Sequence, residues 1–281
     1  MTQVFETVAA MRAAVAGWKA EGLRVGLVPT MGGLHAGHVA LIEASVAACD
    51  KTIVTIFVNP TQFGENEDLD NYPSNRDADL ATLMDAGADA AFIPSVAEMY
   101  PDGFATRVIV DGLTDCLCGA SRPGHMDGVT QVVSKLLNQA QADQAFFGEK
   151  DWQQLAVIRR MVRDLDIPVE IKGVPTVRDE FGLALSSRNS YLDDAQIDVA
   201  RKFNVILRKA AYDIAAGGVP SEECAKAAKA ILTAGFEKID YVECRDAESL
   251  ELVEVLADRP TRIFAAAFIG PARLIDNHAV T

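Results

Sequence analysis

Residues 23–38, "LRVGLVPTMGGLHAGH", decide how the chain folds. Val25, Leu27 and Val28 make a run that is apolar on both sides, as a strand covered by helices on two faces requires, and Pro29 stops it. Gly32, Gly33 and Gly37 then allow the backbone to approach another group closely. From His35 the pattern continues as a helix, "HAGHVALIEASVAACD". A helix starting there offers N–H groups and the positive end of its dipole to an anion.

The same strand–turn–helix grammar repeats on either side. "KTIVTIFVNP" (51–60) reads as a second apolar strand closed by proline, followed by a helical "NRDADLATLMDAGA" (75–88) and a short strand "DAAFIP" (89–94). A helix "DGVTQVVSKLLNQA" (127–140), a strand "DQAFFGEK" (143–150), a helix "DWQQLAVIRRMVRDLD" (151–166) and a strand "PVEIKGVPTV" (168–177) complete the series. An amphipathic helix around 5–20 precedes it, with Val4, Val8, Met11, Val15 and Trp18 at helical spacing. Alternating apolar strands and helices predict an α/β fold, a Rossmann-like parallel sheet with helices on both faces. After residue 177 the pattern changes to a helix-rich stretch (193–235) and three strands, "KIDYVECRD", "RIFAAAFIG" and "ARLIDN". The expected domains are therefore 1–176, for binding nucleotide and substrate, and 177–281, a smaller α+β domain closing over the site.

With 281 residues, 49% hydrophobic and 23% charged, the chain can bury a sizeable core. Its net charge of −14 and the lack of a basic stripe argue against a nucleic-acid partner. The N-terminus lacks the basic start and unbroken apolar stretch of a signal peptide. No apolar run reaches the roughly 18 residues of a membrane span. Five scattered cysteines, Cys116 and Cys118 among them separated by one residue, read as free thiols in a reducing cytoplasm.

His35 and His38 could hold a metal, fill a core or grip phosphate. A metal site needs further ligands, yet only His125 and His278 remain and no cysteine or carboxylate has a matching spacing. A core pair leaves the three glycines unexplained, so phosphate contact is favoured. In "FVNPTQF" (57–63), Asn59 and Gln62 carry amides suited to reading a substrate's hydroxyl or carboxylate, although Asn-Pro alone can simply make a turn. In "FFGEKDWQQ" (146–154), Gly148 permits close approach and Lys150 is a mobile charge for phosphate. Asp151 stands where it could cap the next helix and Gln154 in that helix's first turn. "ALSSRNSYL" (184–192) joins two hydroxyls to a guanidinium, a weak signal by itself. The first three segments each follow a parallel strand, and such loops gather in one crevice.

Together "PTMGGLHAGH", "FVNPTQF", "RPGHMDGV", "FFGEKDWQQ", "GVPTV" and "LSSRN" resemble the pantothenate synthetase family, in the cytidylyltransferase-like nucleotidyltransferase superfamily. The likeness covers nearly the whole chain and is strongest over 24–192. It implies ATP-dependent condensation of (R)-pantoate with β-alanine to pantothenate, AMP and pyrophosphate through a pantoyl-adenylate, with Mg²⁺ accompanying the ATP. It implies that Met31, Gly32, Gly33, Leu34, His35, Ala36, Gly37 and His38 line the ATP site, with His38 as proton donor. Gly148, Glu149, Lys150 and Asp151 would contact ATP, and Val177 with Leu185, Ser186, Ser187 and Arg188 would complete its site. His38, His35 and Lys150 would be catalytic. Gln62, Gln154 and Asn59 would bind pantoate, and Gln62 also β-alanine. A homodimer is implied too.

Three positions depart from the family's pattern. Met126 and Leu185 are apolar replacements. Ala78 precedes Asp79 where some relatives carry paired aspartates assigned to magnesium, which leaves a protein ligand for the metal open. Rival expectations are an adenylyltransferase stopping at the nucleotide product, a synthetase-like RNA binder and a nucleotide sensor.

Overall fold

The computed structural model describes residues 2–64, 69, 72 and 75–281. Six parallel strands form one sheet: β1 (Gln3–Phe5), β2 (Val25–Thr30), β3 (Lys51–Ile56), β4 (Ala90–Phe92), β5 (Gln144–Gly148) and β6 (Glu170–Val174), in the order β1-β4-β3-β2-β5-β6. Chain order runs outward from β2 to β3 and β4, then returns to the other side of β2 for β5 and β6. The direction of winding therefore reverses between β2 and β5, where open α/β sheets place their ligands.

Side-chain alternation divides the core between the two faces of the sheet. Leu27, Ile53, Phe92 and Phe147 point to the face covered by α1 (Val8–Ala20), α6 (His125–Ala140) and α7 (Trp152–Asp164). Val28, Val54, Ala91 and Phe146 point to the other, under α2 (Ala36–Ala48) and α3 (Arg76–Asp85). Gly26 brings α2 down onto β2, since a Cβ there would lie 2.2 Å from Ser45 Oγ.

The expected helix at 5–20 begins only at Val8, because Thr7 caps it by accepting the Ala10 N–H. Val4, placed on that helix by its spacing, belongs instead to β1, which pairs with β4. Two short helices, α4 (Val96–Met99) and α5 (Leu117–Ser121), have no counterpart in the sequence pattern. Both are about a single turn long, too short to establish a period.

Beyond β6, α8 (Asp194–Ala215) and α9 (Pro220–Ala234) pack on an antiparallel sheet of β7 (Lys238–Asp246), β8 (Thr261–Ile269) and β9 (Ala272–Ala279). Phe203, Leu207, Ile231 and Ile263 anchor this second core. Leu250 and Phe264 cross into the first core, so the two halves share an apolar contact. Among the described residues no helix is long and apolar enough to cross a membrane.

Candidate active site

The segment after β2 is built around the histidine pair. His35 is the N-cap of α2, in extended conformation, and its Nδ1 accepts the Gly37 N–H at 3.0 Å. His38 Nδ1 in turn accepts the His35 N–H at 3.3 Å, and the ring centroids lie 4.1 Å apart. The Gly37 donor expected for an anion is thus taken by the protein itself. With both Nδ1 atoms accepting, the ring protons sit on Nε2, leaving two N–H donors on side chains that line the cleft. Gly37 leaves room for this, because a Cβ there would stand 2.7 Å from His35 Cε1.

Burial, then the Lys150 charge, lowers the His35 pKa to about 4. Burial, then His35 and Lys150, lowers that of His38 to about 3. His38 is therefore a neutral imidazole in this structure, with its Nε2–H available as a donor. Well above pH 6.5 both rings are neutral, folded or unfolded, and they do not influence stability. As the pH falls from 6.5 toward 4 and 3, the unfolded chain takes up protons that the folded chain refuses, so stability declines across that window. Long-range ¹H–¹⁵N correlation spectra at about pH 6, above both lowered values, should accordingly show both rings as neutral Nε2–H tautomers. Imidazolium shifts at that pH would contradict the assignment.

The turn leading into the pair is held by a residue with no evident local role. Asp79, on α3 and 3% exposed, accepts the Gly33 N–H at 3.1 Å and the Leu34 N–H at 2.8 Å. Gly32 sits at φ +85°, and a Cβ on it would come within 2.9 Å of Asp79 Oδ2. Both carboxylate oxygens are engaged by the turn. Asp79→Asn places an amide donor against these N–H groups and should cost about 1–3 kcal/mol of stability. Urea unfolding would read this as a lower midpoint with an unchanged slope, and an unchanged midpoint would refute it.

After β3, Asn59 is 1% exposed and fully occupied. Its Nδ2 donates to Gln62 Oε1 (3.1 Å) and Gly128 O (3.0 Å). Its Oδ1 accepts from Thr61 N, Thr61 Oγ1 and Tyr100 Oη. Asn59 reaches the cleft wall, but here its amide orients Gln62. With its oxygen fixed, Gln62 directs its Nε2 toward the Met31 sulfur at 3.1 Å. His125 supports the same turn: its Nδ1–H donates to Gln62 O at 2.8 Å, so its Nε2 accepts from Arg122 Nη1 at 2.9 Å.

After β5, a 3₁₀ turn (Glu149–Asp151) leads into α7. Lys150 is 3.7 Å from Asp151 Oδ2 and lines the cleft beside the histidines. Asp151 occupies the cap position of α7 without making the side-chain cap bond expected of it. Gln154 faces the cleft, whereas its neighbour Gln153 is buried and knits Leu113, Cys116 and Cys118 together. A hairpin in which Leu185 N–H donates to Val177 O brings Val177 and Leu185–Arg188 to the same cleft.

One cleft of about 740 Å³ thus gathers Met31, His35, Gly37, His38, Asn59, Gln62, Gly148, Lys150, Asp151, Gln154, Val177, Leu185, Ser186, Ser187 and Arg188. Gly32, Gly33, Leu34, Ala36 and Glu149 do not line it. The two glycines form the turn under Asp79, Leu34 packs into the core beside α2, and Ala36 is exposed. The cleft lies over the β2/β5 reversal and is large enough for a nucleotide and a small acid. Among the described residues there is no group of three or more His, Cys, Asp or Glu side chains able to hold a metal ion.

The sequence matches the family model for pantoate-beta-alanine ligase over residues 3–279. The chain belongs to this ligase family. The pantothenate synthetase of Dinoroseobacter shibae is 56% identical over 280 residues, covering 100% of both chains. That of Paramagnetospirillum magneticum is 53% identical, covering 99% of this chain and 97% of its own. Among solved structures, the pantothenate synthetase of Thermus thermophilus superposes with a TM-score of 0.92 at 43% identity, covering 99% of each chain. The pantoate-beta-alanine ligase of Francisella tularensis, described as complexed with beta-gamma ATP and beta-alanine, gives 0.84 at 33% identity, covering 100% of this ligase and 98% of that chain.

Proposed function

We propose that this cleft activates pantoate as an adenylate before joining it to β-alanine. As a member of its family the chain is a ligase that condenses pantoate with β-alanine at the expense of ATP. The observation that carries the stepwise reading is the meeting of His35, His38 and Lys150 at the β2/β5 reversal, with Gln62 and Gln154 lining the same cleft. A carboxylate is a poor acylating agent, and transfer to the α-phosphorus makes it one.

His35 and His38 present neutral Nε2–H donors and Lys150 a fixed positive charge to the triphosphate, where negative charge grows as pyrophosphate departs. Leu185–Arg188 close on the phosphates from the other side, adding hydroxyl and guanidinium donors. Met31, Gly37, Gly148, Asp151 and Val177 form the rest of the nucleotide site, and Gly32–Leu34, Ala36 and Glu149 act through the turns that carry these residues. Gln62 and Gln154, with Asn59 fixing Gln62, hold pantoate, and Gln62 also orients β-alanine. The amine attacks as free base, and a closed cleft keeps water from the mixed anhydride. Mg²⁺ neutralises part of the triphosphate charge when bound. The ion would be carried mainly by the phosphates and water, with Asp151 among the carboxylates that line the cleft.

Residues 1–176 serve as the domain that binds nucleotide and pantoate, and 177–281 as the smaller domain closing over it. The working form is a homodimer, as the family resemblance suggests. Five free cysteines suit a cytoplasmic location. Pantoate labelled with ¹⁸O in its carboxylate tests the intermediate: one labelled oxygen should appear in AMP after a turnover. Unlabelled AMP would exclude attack on the α-phosphorus.

A further inference from the structure

Two adjacent residues of β9, far in sequence from every segment discussed above, tie the second half of the chain to the nucleotide-binding turns. Asn277 is 3% exposed, and its Nδ2 donates to two consecutive carbonyls, Glu149 O and Lys150 O, each at 2.9 Å. Its Oδ1 accepts from Arg262 Nε at 2.7 Å, and the Arg262 guanidinium stacks 3.8 Å from the Trp152 ring. The neighbouring Asp276, also 3% exposed, grips Arg178 with both oxygens, at 2.7 and 2.8 Å. Arg178 is at the base of the Val177–Leu185 hairpin, where it bridges to Ala184, and it also donates to Gly182 O at 3.1 Å. The Asp276 carboxylate then accepts the Asn277 N–H at 2.8 Å, coupling the two arms.

This chemistry needs these residue types. Satisfying two carbonyls while accepting from a guanidinium takes two donors and one acceptor on a short planar group, which a primary amide has and a carboxylate lacks. Holding a hairpin by a planar fork takes a carboxylate facing an arginine.

We propose that Asn277 and Asp276 are positioning residues for adenylate formation: Asn277 sets the turn that carries Lys150, and Asp276, through Arg178, sets the hairpin that carries Leu185–Arg188. The inference rests on the assignment of Lys150 and Leu185–Arg188 to the nucleotide given above. The smaller half of the chain thereby fixes two phosphate-facing segments from a single strand, and is part of the site's frame as well as its cover.

The two half-reactions separate this role from a structural one. Pantoate-dependent ATP–pyrophosphate exchange needs the phosphate-facing groups, whereas attack of β-alanine on supplied pantoyl-adenylate involves no pyrophosphate. Asn277→Asp, nearly isosteric, should slow exchange ~10–100-fold, as displacement of a positioned group does, with the second half-reaction within about threefold of wild type. Arg178→Lys, which loses the fork but keeps the charge, should slow exchange in the same selective way. It also supplies the test if Asn277→Asp fails to fold by circular dichroism. Lys150→Ala serves as reference. Exchange at wild-type rate in Asn277→Asp or Arg178→Lys, with Lys150→Ala inactive, would overturn the inference alone. Equal slowing of both half-reactions would overturn it as well, by showing a merely structural role. Undiminished exchange in Lys150→Ala would overturn the assignment of Lys150 to phosphate, and this inference with it.

Discussion

Lys150→Ala and His38→Ala will each reduce adenylate formation by at least ~100-fold while the protein remains folded. Donors preorganised toward developing charge are worth about 2.7–4 kcal/mol apiece, and a hundredfold corresponds to the lower end of that range. Lys150 lowers the pKa values of both histidines, so all three groups sense one field. His38 contributes differently, because its Nδ1 is engaged and it is neutral at working pH. The loss in His38→Ala should therefore be the same at about pH 6 and about pH 8, both well above its lowered value. Single-turnover rates near wild type in both variants, or a His38 deficit that appears only at low pH, would count against these roles.

Gly128→Ala should be equally damaging for another reason. Gly128 lies in the first turns of α6, directly against the 3₁₀ turn Pro60–Gln62 that carries the amide pair. A Cβ there would stand 2.4 Å from Thr61 O and 2.6 Å from both Gln62 N and Gln62 Cα. These are backbone atoms, so the turn itself must move, at a stability cost of about 1–3 kcal/mol typical of overpacking. The shift would break the Asn59–Gly128 hydrogen bond and displace Gln62 from the cleft wall. Since Gln62 is assigned to both acids, Gly128→Ala should raise KM for pantoate and for β-alanine and lower kcat/KM ~100-fold. Lys150→Ala, by contrast, should spare the β-alanine step. A Gly128→Ala enzyme with unchanged KM for both acids would contradict the placement of Gln62.

The elements that could be read from sequence are those whose cause is local. The β2 strand, its glycine turn and α2 are specified by consecutive residues, as are β3 and β5 with the loops that follow them. Parallel topology then brings those loops to one edge. Less legible were features whose cause lies elsewhere in the chain. Asp79 looks like an ordinary acid in the first turn of a helix, and its bonds to Gly33 and Leu34 span 46 and 45 positions. Asn277 closes a strand pattern and meets Lys150 across 127 residues. Nothing near either residue signals the contact. The histidine pair was visible but its protonation was not, because the lowered pKa depends on burial that only the folded chain supplies. Asn59 is legible as a polar residue after β3, but its buried partners Gln62, Gly128 and Tyr100 are not. β1, three residues long, has no periodicity of its own and exists because β4 is beside it.

The most direct measurement is ATP–pyrophosphate exchange on the wild-type protein with β-alanine left out. If carboxylate activation is a separate step performed by the groups gathered at the β2/β5 reversal, labelled pyrophosphate will enter ATP when pantoate is added and will not do so without it. Exchange that ignores pantoate, or that begins only once β-alanine is supplied, would contradict the account.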